Sequence, residues 1–111
     1  MLTKGRELPL LNQATKGTIV WSGRLRVLNY RIVMRWNTRE SFWMASVYDA
    51  TNRPIVRDIA CRTDEDILEN VIRPYAPQGA LVIRDRTGID DDPGRNGWSD
   101  GKIIRYEYQA P

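Results

Sequence analysis

Few residues of this 111-residue chain could carry chemistry. The densest set of potential metal ligands is Asp90-Asp91-Asp92-Pro93-Gly94. Helix-loop-helix calcium sites space their ligands at alternate positions and close on a bidentate glutamate. Here the acids are contiguous, a proline interrupts, and no glutamate follows at the needed distance, so the run reads as a solvated turn. Its alternatives are a weak cation site and a partner contact. Glu40, Asp49, Asp58 and Asp85 each sit beside arginines or at strand ends, where salt bridges and turns account for them without acid–base work. Histidine is absent, which removes Ser-His-Asp and Cys-His constellations and His-ligated zinc. Cys61 is the one cysteine, so neither an internal disulfide nor a thiolate cluster can form; its apolar context, IVRDIAC, predicts an inert buried thiol. The eight glycines are dispersed and form no phosphate-cradling loop. The chain is therefore read as not an enzyme, with no catalytic, cofactor-binding or metal-binding residue assigned.

What remains is arginine set among aromatics. Fourteen of the seventeen cations are arginine, although the formal net charge is only +3. Arginine is favoured in planar, bidentate contacts at protein interfaces and on nucleic acid. Arg24, Arg26, Arg31 and Arg35 follow one another with Trp21, Tyr30, Trp36 and Trp43 nearby. Arginine and aromatic residues on a β surface are how an OB-fold grips a single strand. The competing reading makes the aromatics core and the arginines a solvent or subunit face.

The elements that must position these residues are strands. Hydrophobic residues make up 41% and charged residues 28% of the chain, a globular composition of single-domain size. No apolar run approaches the ~18 residues of a membrane helix, and no signal-peptide-like stretch opens the sequence, so a soluble chain without membrane contact is expected. In residues 30–36, Tyr30, Ile32, Met34 and Trp36 share one face while Arg31, Val33 and Arg35 point away, the period-2 pattern of a half-buried strand. Residues 18–21, 42–48, 54–56, 80–85 and 102–108 read as further strands. Turns are expected near Leu28-Asn29, over 37–41 and over 49–53, with a long turn-rich loop over 86–101. Residues 63–72 break the pattern: Ile67, Leu68, Val71 and Ile72 recur at helical spacing behind a capping Thr63, and Pro74 follows. This predicts one short helix at about 64–72. The expected fold is all-β, a small antiparallel barrel or sandwich of six or seven strands with that helix. Residues 1–16 form an extended N-terminal arm that orders on docking, and residues 17–111 a single β domain.

The order of these features resembles the small baseplate plug proteins of contractile-tailed bacteriophages. The resemblance runs from Leu8-Pro9-Leu10 and Asn12-Gln13 through YRIVMRWN (30–37) and FWMASVYDATNRPIV (42–56). It continues through RPYAPQGALVIRD (73–85) and the Asp90–Asp92 loop to the closing strand with Tyr106. It implies a structural component of the virion tail baseplate that closes the distal tail tube and contacts the hub. The partners it implies are tail hub, tube or other baseplate proteins and copies of the chain around the tail axis. Leu8, Pro9, Leu10, Arg31, Trp36, Arg39 and Trp43 are the expected interface residues. The alternative is an OB-like module binding single-stranded nucleic acid.

Overall fold

The computed structural model describes residues 3–8, 17–69, 71, 75–85, 92–94, 98 and 102–109. Seven strands are present: β1 (Thr3–Glu7), β2 (Thr18–Leu25), β3 (Leu28–Asn37), β4 (Phe42–Asp49), β5 (Pro54–Ala60), β6 (Ala80–Asp85) and β7 (Lys102–Gln109). They form two antiparallel sheets, one of order β2-β3-β4-β5 and one of order β1-β7-β6. The architecture is a sandwich and not a closed barrel.

The larger sheet is a meander built from the expected alternation. Ile19, Trp21 and Leu25 of β2 are buried together with Tyr30, Ile32 and Met34 of β3 and Trp43, Ala45 and Val47 of β4. They meet Leu81, Ile83, Ile104 and Tyr106 from the smaller sheet in one hydrophobic cluster. Burying each of the larger aliphatic side chains among them contributes about 1.5–3 kcal/mol. The residues between them face outward, which leaves Val20 44% exposed. The β3–β4 turn is held by the Glu40 N–H donating to the Asn37 side-chain oxygen at 3.0 Å. The β2–β3 turn falls at Arg26-Val27, two residues earlier than expected, because Leu25 pairs directly with Leu28. Arg26 takes φ 63°, the positive value that a type II′ turn needs at its first central position. The register of β4 against β5 shifts twice, near Val47. At this irregularity Asp58 also takes a positive φ, and its N–H donates to the Ser46 hydroxyl at 3.0 Å.

The expected helix over 64–72 does not form. In its described residues the segment is a strap of turns along the open edge of β6, joined by bridges between Thr63 and Ile83 and between Asp66 and Val82. The N–H groups of Asp64 and Ile67 donate to the carbonyls of Ile83 and Leu81, at 2.7 and 2.9 Å, and not to residues one turn earlier. The Asp66 carboxylate accepts the N–H groups of Leu68 and Leu81 at 2.8 and 2.9 Å. Ile67 and Leu68 are buried, so the helical-looking spacing is satisfied by a turn that presses two neighbouring side chains into the core. A sheet edge with unpaired backbone groups is a stronger attractor than a marginal nine-residue helix.

The described part of the N-terminal arm is built into the domain. β1 pairs with β7 from Thr3–Gln109 to Glu7–Arg105. The Leu8 N–H donates to the Ile104 carbonyl at 2.9 Å, and its side chain is 1% exposed. Gly79, at φ 116°, lets the chain enter β6 tight against β7; a Cβ there would lie 2.3 Å from the Glu107 carbonyl oxygen.

Candidate docking surface

Of the seven expected interface residues, Pro9 and Leu10 lie outside the described residues, and two others are corrected by the structure. Leu8 is core, as above. Trp43 is 0% exposed, its ring edge-on to Trp36 at 5.7 Å and to Trp98 at 6.1 Å. Its indole N–H donates to the Gly94 carbonyl at 2.8 Å. Both side chains sit on the inner side of the sandwich, where an apolar residue on an alternating strand is drawn. Arg31, Trp36 and Arg39 do reach the surface, but they do not form one patch. Arg31 lies on the outer face of the larger sheet, Trp36 is half-buried at the inner rim of β3, and Arg39 is exposed in the β3–β4 turn.

Around Arg31 the outer face is organised by cation–π contacts. Arg31 of β3 pairs across from Tyr48 of β4, and its guanidinium stands 4.8 Å from the ring centroid. Arg57 of β5 approaches the same ring at 6.0 Å. The buried Nε of Arg31 has no hydrogen-bond partner among the described residues. Arg35 and Arg39 likewise lack a carboxylate partner there.

Other arginines are spent internally. The buried Asp49 carboxylate accepts the Arg53 guanidinium at 2.6 Å, the Thr51 hydroxyl at 2.8 Å, and the Thr51 and Arg53 N–H groups at 2.9 Å each. Burial pushes this carboxyl up, but the Arg53 N–H, the Thr51 hydroxyl, the Arg53 guanidinium and the Thr51 N–H outweigh it and hold its pKa at about 2. The Arg53 guanidinium also stacks on Tyr75 at 4.0 Å. Because the folded pKa lies below the ordinary 3.8, Asp49 stabilises the fold above that value and loses its effect as pH falls towards 2. Stability measured by denaturant titration should therefore drop between about pH 5 and 2, with a shallower fall in Asp49→Asn. Parallel slopes for the two proteins would refute the role given to this carboxylate.

The other chemical candidates are similarly quiet. Cys61 is buried, and burial pushes its thiol up to about 12, far from the thiolate a nucleophile or metal ligand needs. Asp92 accepts the Thr63 N–H at 3.1 Å and pairs with Arg62 at 3.4 Å, so this acid of the 90–92 run braces the strap. Asp90 and Asp91 lie outside the described residues. For a nucleic-acid platform the aromatics are wrongly placed: Trp21, Tyr30 and Trp43 are buried, and the Tyr48 ring is approached by two guanidiniums.

A surface of unpaired arginines and half-buried rings on a rigid sandwich, with no catalytic grouping among the described residues, suits docking. A family model, described as cyanophage baseplate Pam3 plug gp18, matches residues 9–106. The chain belongs to that family. No curated protein matches it. As a baseplate plug it is a structural protein of the phage tail baseplate, where it associates with other baseplate or tail proteins. The match supports the plug reading and gives none to the nucleic-acid alternative.

One arrangement was not legible in the sequence. Arg6 of β1 lies beside Arg24 of β2 and Arg26 of the β2–β3 turn, at a cleft floored by Tyr106 and Tyr108. Arg24 and Arg26 stand out locally, but only the pairing of β1 with β7 brings Arg6 to them.

Proposed function

We propose that this chain is a non-enzymatic plug that closes the distal end of a contractile tail tube. It docks on the tail hub and tube proteins, with further copies around the tail axis. The observation that carries this reading is the family match over residues 9–106. The sandwich supplies the mechanical part, because two sheets sharing one packed core resist deformation as a unit. Arg31 and Arg39 offer guanidinium forks to partner carboxylates and carbonyls, and Trp36 offers a rigid, partly desolvated ring, the residue types enriched at interface centres.

The test is light scattering on size-exclusion fractions of the purified chain. It is run alone, with the hub and tube proteins of the same phage, and with single-stranded DNA at two salt concentrations. A defined complex with a tail protein that survives the higher salt is expected, with no DNA complex. Salt-sensitive DNA binding without any tail-protein complex would overturn the proposal, since phosphate binding weakens steeply as counterions are added.

A further inference from the structure

We infer that the cleft between β1 and the β2–β3 hairpin is a carboxylate-binding groove that takes an acidic segment of a neighbouring tail protein. The inference rests on the plug reading for the partner's class and on the cleft's own chemistry for the rest. The cleft has a volume of about 500 Å³ and is lined by Gly5, Arg6, Arg24, Arg26, Tyr106 and Tyr108. Three of these six residues are arginines, contributed from both sheets, and none of the six carries a carboxylate.

The arginines are held in place. Arg6 donates to the Arg24 carbonyl, and its guanidinium stands over the Trp21 ring at 5.9 Å. Arg26 donates to the Gln78 side-chain oxygen at 2.8 Å and stacks on Tyr108 at 5.0 Å. The Arg24 guanidinium has no ion-pair or hydrogen-bond partner among the described residues. Each guanidinium carries five N–H donors, so the three keep most of theirs free for a ligand. Among the described residues, carboxylates elsewhere pair with Arg53, Arg62, Arg84 and Arg105, and the lining of this cleft carries cations only.

Carboxylate, and not a nucleic-acid strand, is the ligand that fits. Single-strand binding draws on aromatic faces open to bases. Here Arg6 stands over Trp21, Arg26 covers Tyr108, and Tyr106 is 1% exposed with its hydroxyl donating to the Gln78 carbonyl. Over its tyrosine floor the cleft presents three guanidinium groups, whose forked edges meet carboxylates in pairs of parallel hydrogen bonds.

The experiment is fluorescence anisotropy with dye-labelled hexaglutamate and, separately, an oligothymidine of equal charge, each at low and physiological salt. Hexaglutamate should bind the native chain. Arg24→Gln should weaken it about tenfold, as expected for losing one charge-assisted contact. Arg6→Gln, Arg24→Gln and Arg26→Gln together should abolish binding, while Arg35→Gln, the same charge loss on β3, should leave it within about twofold. Thermal unfolding monitors each variant; if the triple variant is unfolded, Arg24→Gln decides, because its guanidinium supports nothing else described. Three results would overturn the inference: no hexaglutamate binding, an equal loss in Arg35→Gln, or tighter binding of oligothymidine. If hexaglutamate fails while the chain still co-elutes with tail proteins, the groove is wrong and the plug reading stands.

Discussion

Trp43→Ala is expected to lower stability by about 4–5 kcal/mol, the upper end for deleting a buried aromatic. The ring is wholly buried and is packed edge-on by Trp36 and Trp98, so its removal leaves a cavity and breaks two aromatic pairs at once. It also removes the indole N–H that donates to the Gly94 carbonyl at 2.8 Å. A domain of this size has only about 5–15 kcal/mol in all, so the variant loses about a third or more of its stability and should unfold at a much lower urea concentration. Urea titration of Trp43→Ala beside Trp43→Phe separates the contributions. The phenylalanine variant keeps much of the packing and loses the hydrogen bond, for about half the cost. A loss below about 1.5 kcal/mol in the alanine variant would show that this ring is not the hub of the core.

The second large effect concerns a buried ion pair. Lys102 and Asp85 face each other across β7 and β6, their charged atoms 2.5 Å apart and their side chains 6% and 5% exposed. Removing the cation in Lys102→Met leaves the Asp85 carboxylate without this partner in a site poor in water, at a cost of about 3–5 kcal/mol. Asp85→Leu with Lys102→Met should recover most of that, because two apolar side chains of similar volume do not have to be stripped of solvent charge by charge. The double-mutant cycle reads the coupling directly. A double variant as unstable as the sum of the singles would show that the two charges act independently.

The same residues show how far the sequence could be read. Period-2 alternation in residues 30–36 and the Asn and Asp turns flanking residues 42–49 identify β3 and β4, since strand periodicity and turn chemistry are local. The inward direction of Trp36 and Trp43 is equally local: both lie on the apolar phase of their strands, and for Trp43, which is wholly buried, the phase argues against a surface contact. Residues 63–72 misled because a short amphipathic spacing is shared by a helix and by a turn with two adjacent buried residues. Only the open edge of β6, distant in sequence, decides between them. Arg31 and Arg39 are legible as surface residues, whereas the Arg6–Arg24–Arg26 cleft depends on a strand pairing that spans nearly the whole chain.

That pairing also sets an order of events. β2 to β5 are joined by short turns, and each can zip onto its predecessor as it leaves the ribosome. β1, made before any of them, has its partner in β7, at the other end of this sequence. The smaller sheet therefore cannot close until β7 has been made, and the long-range closure that β1 and β7 require is expected to be slow relative to the zipping of the meander. Until then Leu8 has no complete core to enter and the inner face of the meander is uncovered, so the arginine cleft exists only once β7 is in place. A partner that recognises this cleft is thereby kept from joining a half-made plug.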